Sequence, residues 1–184
     1  MSLSQGFCAQ NLFLFEEGNI LRKLKVLHCI TKLELGGAQK TTPDILRYLP
    51  RSLYSLSLAT SPDGVLIDEA ANIADVKVYL IPTLKRQIDP LSDLRTIVSL
   101  YRLFKKEMFD IVHTHSSKAG ILGRWAAKFS GVPIIVHTIH GFAFYDSQNW
   151  FIKNLYILLE KITARITEAL ELKKIFSSIA EKST

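Results

Sequence analysis

The stretch that most constrains the fold runs from Asp110 to Tyr145, DIVHTHSSKAGILGRWAAKFSGVPIIVHTIHGFAFY. A short apolar run, Ile111-Val112-His113, breaks at a polar turn, Thr114-His115-Ser116-Ser117. The spacing of Ile121, Leu122, Trp125, Ala126 and Phe129 then predicts an amphipathic helix. Gly131 stands where it can close that helix, and Pro133 blocks its continuation. Ile134-Ile135-Val136 opens a second strand. Two β-branched runs joined by a helix read as a parallel βαβ unit, since a parallel crossover needs a connection of that length. Open parallel sheets bind ligands beyond the carboxyl ends of their strands. Those ends carry His115, Ser116, Ser117, Lys118, His140 and Gly141.

The same alternation extends through the chain. Strands are expected at Lys25–Thr31, Tyr54–Thr60 and Val76–Ile81. Helices are expected at Ala38–Leu49, Val65–Ala74, Leu91–Met108 and from Trp150 to about Ile166. Pro43 conflicts with a helix beginning at Ala38, and a later start would place it in the first turn. Five βα repeats predict a doubly wound, Rossmann-like parallel sheet in three α/β/α layers. On the 91–108 helix, Leu94, Ile97, Val98, Tyr101, Leu103, Phe104 and Met108 form the expected packing face. Arg95, Arg102, Lys105 and Lys106 lie elsewhere, as a solvated face or as a surface for anionic lipid.

With 184 residues, 48% of them hydrophobic and 22% charged, the chain suits one globular domain with one core. Residues 1–24 read as an extension with no charged start ahead of their apolar part, unlike a signal peptide. Residues 25–184 read as the domain. Cys8 and Cys29 show no metal-ligand spacing, and Cys29 reads as a buried strand thiol, which suits a reducing, cytoplasmic compartment. No apolar run reaches membrane-spanning length. A net charge of +6 is compatible with nucleic acid, anionic lipid or a phosphorylated ligand. No aromatic RNA-binding strand, zinc knuckle or helix-turn-helix pattern accompanies it, so nucleic acid is not the expected partner.

All five histidines, His28, His113, His115, His137 and His140, lie in or just after strands. A metal site from His113, His115, His137 and His140 is one reading. The absence of a carboxylate and the different depths of His113 and His115 favour hydrogen-bonded core residues for His28, His113 and His137. His115 and His140 differ, because each stands at a carboxyl edge beside a turn. There an imidazole can donate to a phosphate or hydroxyl, or act as acid or base near neutral pH. Ser116, Ser117 and Lys118 gather hydroxyls, amides and an ammonium at a helix start, which serves an anion or simply caps the helix. Gly36-Gly37, between the first strand and its helix, allow close backbone approach to a ligand, but without the GxGxxG spacing of a nicotinamide site. No GxSxG or Walker sequence is present.

Taken together, KVLHCITKLELGGAQ, SPDG and DIVHTHSSKAGILGRWAAKFSGVPIIVHTIHGFAF resemble the N-terminal domain of family 4 glycosyltransferases, over about Lys25 to Thr167. The resemblance implies one half of a GT-B architecture, with two Rossmann-like domains facing across a cleft. It implies sugar transfer from a nucleotide diphosphate sugar to a glycan or lipid-linked acceptor, with retention, no cofactor and no obligatory metal. It places Gly36 and Gly37 near the donor phosphates and the acceptor. His115 becomes the catalytic histidine, and Ser116, Ser117, Lys118, His140 and Gly141 line the substrate side. The donor-binding C-terminal domain of that family is not expected within this chain. Glu160 and Glu168 have the spacing of a glutamate pair in that domain, but without its Gly and Pro context the match reads as accidental. A peripheral contact with the inner, anionic face of a membrane follows as a hypothesis.

Overall fold

The computed structural model describes residues 15–16, 19–20, 22–34, 37–138 and 150–167. Its body is one parallel sheet with strands β1 (Leu24–Ile30), β2 (Tyr54–Thr60), β3 (Val76–Leu80), β4 (Ile111–His115) and β5 (Ile134–Thr138). The helices are α1 (Gly37–Tyr48), α2 (Ile67–Ala71), α3 (Pro90–Glu107), α4 (Ser117–Ser130) and α5 (Trp150–Ala164). The spatial order is β3-β2-β1-β4-β5. The chain therefore winds outward from β1 to β3, then returns to lay β4 on the other side of β1. A two-residue antiparallel ladder, Phe15–Glu16 with Asn19–Ile20, precedes the sheet. The expected Rossmann-like α/β class is what the chain adopts.

Strand alternation divides the core in two. Leu27, Cys29, Ala59, Val112 and Ile135 face Leu100 and Phe104 of α3 and Ala119, Leu122 and Ala126 of α4. Val26, Ile30, Leu56, Leu58, Ile111 and Val136 face Leu46 of α1 and Ala70 of α2. Cys29 is fully buried, and burial pushes its thiol up to about 12, as suits an inert core residue. Helix α4 lies close on the sheet because Gly120 and Gly123 have no side chain. A Cβ at Gly120 would stand 2.5 Å from the His137 ring, and one at Gly123 would stand 2.9 Å from Thr114. Gly131 ends α4 in the left-handed conformation (φ 75°), as its position in the sequence predicts.

Four local expectations change. The polar turn after β4 shrinks to Ser116, because Thr114 and His115 remain in the ladder, paired with Cys29 and Ile30 on one side and His137 and Thr138 on the other. Thr114 tolerates the interior because its hydroxyl donates to the Val136 carbonyl. Helix α1 begins at Gly37 and runs through Pro43, which is buried. One missing backbone donor is a smaller loss than the burial the continuous helix gains. Helix α2 is shorter than expected, five residues at Ile67–Ala71.

The largest change is the facing of α3. Its buried line is Ser92, Thr96, Leu100 and Phe104, whereas Leu94, Val98, Tyr101 and Met108 are exposed. Thr83 decides this. Its carbonyl accepts from Ser92 Oγ at 3.0 Å, and its hydroxyl accepts from Thr96 Oγ1 at 2.9 Å. Buried hydroxyls with partners carry little penalty, so a polar line can turn inward. Asp89 caps the helix by accepting from the Leu91 and Ser92 amides. Among the described residues, no helix is long and apolar enough to cross a membrane.

Candidate functional site

The strand order reverses between β1 and β4, and a doubly wound sheet opens its ligand crevice at such a point, beyond the strands' carboxyl ends. The polar residues of these two strands converge there. Ile30 pairs with His115 as the last rung of the ladder, so Thr31 and Ser116 leave the sheet side by side. Thr31 N–H donates to Ser116 Oγ at 3.3 Å, and Thr31 Oγ1 accepts from the Ala119 amide at 3.1 Å. The two hydroxyl oxygens stand 2.8 Å apart, one donating to the other. Ser116 holds a backbone conformation (φ 67°, ψ 149°) that side-chain-bearing residues rarely adopt. The clamp to Thr31 holds it there.

Below this clamp lie three rings. His28 and His113 are paired across β1 and β4, and His115 is two residues beyond His113 on the same face. All three are buried, His28 and His115 completely. His28 Nδ1 is 3.0 Å from His115 Nε2, and the His113 and His115 ring centres are 4.1 Å apart. His113 Nε2 meets Thr138 Oγ1 at 2.7 Å. His28 Nε2 is buried with no hydrogen-bond partner. Desolvation pushes His28 down to about 4, so its ring is neutral at pH 7.

These rings are also the group best placed to hold a metal among the described residues, with one ligand atom from each inside a 4.8 Å spread. The set differs from the one drawn from the sequence. His137 faces the other side of the sheet, where Thr114 Oγ1 is 3.0 Å from its Nδ1 and Gly120 lies against its ring. No carboxylate joins the three, and two of their nitrogens, His28 Nδ1 and His115 Nε2, are already spent on each other.

The structure sorts the other expected site residues. Gly37 is the first residue of α1, directly after the loop that leaves β1, and Ser117 is the first residue of α4. Gly36, His140 and Gly141 lie outside the described residues. Lys118 is drawn aside to the α3 end of the crevice. Its ammonium pairs with Asp93 Oδ1 at 2.6 Å, donates to the Gln87 carbonyl, and is nearly buried. Lys118 thus fastens the β3–α3 loop and the start of α3 to the start of α4. On the rim, Glu34 pairs with Lys32 at 2.7 Å and stands 3.8 Å from Arg86. Gly64 positions the same rim, since a Cβ there would meet the Leu33 carbonyl oxygen at 2.4 Å.

Thr31, His28, Asp93 and Gln87 carried no local signal of their part. Each is brought to this edge of the sheet through a partner distant in sequence. Glu160, whose spacing to Glu168 reads as accidental, serves packing: it pairs with buried Arg124 at 2.6 Å and docks α5 on α4. An open depression of about 610 Å³, lined by Lys25, Ser57, Asp75, Lys77 and Glu107, lies at the amino edge of the sheet, away from all these groups. Its neighbourhood is bonded for stability. Arg22 grips Asp110 through two 2.6 Å contacts, and the Lys25 amide donates to the same carboxylate. Burial alone would raise the Asp110 carboxyl, but these donors outweigh it and hold it below the usual carboxylate range.

The sequence profile of Glycosyltransferase Family 4 matches residues 35–170. The chain is 40% identical over 148 residues to the Escherichia coli UDP-Gal:alpha-D-GlcNAc-diphosphoundecaprenol alpha-1,3-galactosyltransferase, covering 80% of this chain and 38% of that protein. The chain therefore spans under two fifths of that relative's length. Among solved structures, a glycosyltransferase from Rickettsia africae superposes with a TM-score of 0.55 at 21% identity, over 76% of this chain and 35% of that one. A UDP-N-acetylglucosamine 2-epimerase superposes with a TM-score of 0.57 at 20% identity, over 80% of this chain and 41% of that one. At such identities the structural likenesses establish the fold alone, which serves more than one chemistry. The profile match over most of the chain decides the family: this chain belongs to glycosyltransferase family 4.

Proposed function

We propose that the chain is the acceptor-side half of a retaining GT-B glycosyltransferase, in which a second domain holds the nucleotide of the donor. The donor is a nucleotide diphosphate sugar, and the acceptor is a hydroxyl of a lipid-linked glycan. In the reaction, the bond from the anomeric carbon to the leaving phosphate breaks and a bond to the acceptor oxygen forms. The acceptor's proton passes to the leaving phosphate, so the balance needs no redox partner and no obligatory metal. The observation that carries the reading is the convergence of Thr31, His115 and Ser116 at the reversal between β1 and β4 in a chain of this family. His115 forms the floor of the cleft, Gly37 brings backbone to the substrates, and Ser117 lies on the acceptor side; Gly36, His140 and Gly141 keep the substrate-side roles that the family resemblance implies. Lys118 acts by holding the rim. The kinship in sequence lies with a transferase, while the epimerase likeness is one of fold only, and transfer is therefore preferred to epimerisation.

Calorimetric titration of the chain tests this directly. A GlcNAc-diphosphate-lipid analogue should bind, UDP-galactose alone should not, and His115→Ala should weaken the analogue at least tenfold while the circular dichroism spectrum is kept. Binding of UDP-galactose in preference to the analogue would reverse the assignment of sides. A His115→Ala chain that binds as the parent does would remove His115 from the site.

A further inference from the structure

The turn Ser61-Pro62-Asp63-Gly64, part of the spelling that carries the family resemblance, follows β2 and so stands on the opposite flank of β1 from the crevice. Its contacts nevertheless run into the crevice wall. The Ser61 amide donates to the Thr31 carbonyl at 3.2 Å, and the Leu66 amide just beyond the turn donates to the Leu33 carbonyl at 3.1 Å. These two bonds continue the β1–β2 pairing past the ends of both strands. Inside the turn, Ser61 Oγ donates to the Asp63 carbonyl at 3.1 Å, and Pro62 fixes its own φ. Gly64 lies flat against the β1–α1 loop. A Cβ there would stand 2.4 Å from the Leu33 carbonyl oxygen and 2.9 Å from its carbon, roughly 1 Å inside ordinary contact.

The loop that Gly64 presses on has nowhere to go. Leu33 is wholly buried in the core with Ile30, Leu46 and Leu58, so its backbone cannot withdraw without opening a packed interior. Thr31 is held on both flanks. Ser61 holds its carbonyl, while toward β4 its amide donates to Ser116 Oγ and its hydroxyl accepts from the Ala119 amide. Leu33 and Thr31 therefore pass any displacement at Gly64 from the β2 side of the sheet to the first turn of α4. Along the chain, the same displacement reaches Gly37, where α1 begins.

We propose that the Ser61–Gly64 turn is a positioning element of the crevice, and that Gly64 is the residue through which it sets Thr31 against Ser116 and brings Gly37 to the substrate. This rests on the reading of the crevice as the acceptor side. Gly64 acts through Leu33 and Thr31 rather than on the ligand. A glycine needed only for the turn would cost stability when replaced and leave the site's geometry alone. A positioning glycine costs the site more than the fold, because a shift of about 1 Å in an aligned group lowers function by up to about 100-fold.

Two measurements on the full chain test this. Without ligand, Gly64→Ala should speed amide exchange at Ala119 and Leu66 by roughly fivefold or more relative to Ala126, in the middle of α4. In calorimetric titration it should weaken the GlcNAc-diphosphate-lipid analogue by about tenfold or more. Gly131→Ala, at the far end of α4, carries a comparable backbone penalty and should leave both readouts as in the parent. Pro62→Gly, at an exposed position, loosens the turn without crowding Leu33 and should move both readouts the same way by about threefold, which covers a Gly64→Ala chain that does not fold. Equal acceleration at Ala119 and Ala126 would overturn the proposal, because it marks a loss of stability alone. Unchanged affinity in Gly64→Ala, an equal loss of affinity in Gly131→Ala, or a Pro62→Gly chain that moves neither readout would do the same. A parent chain that fails to bind the analogue sinks the acceptor reading instead, and the exchange ratio, measured without ligand, still decides the role of the turn.

Discussion

His28 Nδ1 stands 3.0 Å from His115 Nε2 between rings inclined by 11°, a contact between residues 87 positions apart in the chain. It joins the first strand of the sheet to the strand laid beside it after the reversal. One of the two nitrogens must donate and the other accept, so the accepting ring is neutral and the contact ties the floor of the crevice to the core.

The pH dependence follows from burial of His28. Its folded value of about 4 lies below the ordinary 6.5, so between these values the unfolded chain binds a proton that the folded one refuses. The contribution is whole above pH 6.5 and is lost as pH falls toward 4. Its size is on the order of 3 kcal/mol. Urea unfolding at pH 7.5 and 4.5 should show that loss, and the His28→Gln chain should show a markedly smaller one. His113 and His115 abut the same ring, so a slope unchanged by His28→Gln would assign the effect to them.

Ser116 combines an unfavourable backbone with a hydrogen-bonded side chain. Ser116→Ala keeps the strain and removes the clamp to Thr31, whereas Ser116→Gly removes both. The glycine chain should therefore be the more stable of the two by about 1 kcal/mol. Thermal melts of the pair read the sign, and an alanine chain that melts higher would contradict the strain assigned to this position.

The Arg124–Glu160 pair is lopsided in exposure, with Arg124 almost wholly buried and Glu160 about a quarter exposed. Glu160→Ala strands a buried guanidinium and should cost about 3 kcal/mol, softened by the bonds from Arg124 to the Gly120 carbonyl and the Thr167 hydroxyl. Replacing both residues with Met should recover most of the loss. A double-mutant cycle with no coupling would show that α5 docks through Trp125 and Thr163 instead.

Gly120 admits α4 to the sheet. Gly120→Ala should destabilise by about 1–3 kcal/mol, since its methyl would overlap the His137 ring and Thr114 holds that ring from the other side. Gly131→Ala serves as the contrast. It meets no atom within 4 Å, so its cost is confined to the left-handed conformation at φ 75°. Equal destabilisation with no shift of the His137 ring resonances would argue against the overlap.

By itself the sequence determined the βα alternation, the strand positions to within a residue or two, the helix ended by Gly131 and the edge of the sheet that carries the polar residues. These are local matters, set by side-chain period, caps and turn chemistry over a few neighbouring residues. The family motifs, too, were legible as spelling. Tertiary structure alone decided that His28 rather than His137 joins His113 and His115, because strand order, not spelling, sets which histidines share a face. It also decided that Lys118 turns to Asp93 and that α3 hides Ser92 and Thr96 while exposing Leu94 and Val98. A helix with apolar residues on more than one side has no preferred side until something meets it, and here the hydroxyl of Thr83 makes the choice. Period tells a chain which residues can face together; only the neighbour across the gap settles which of them do.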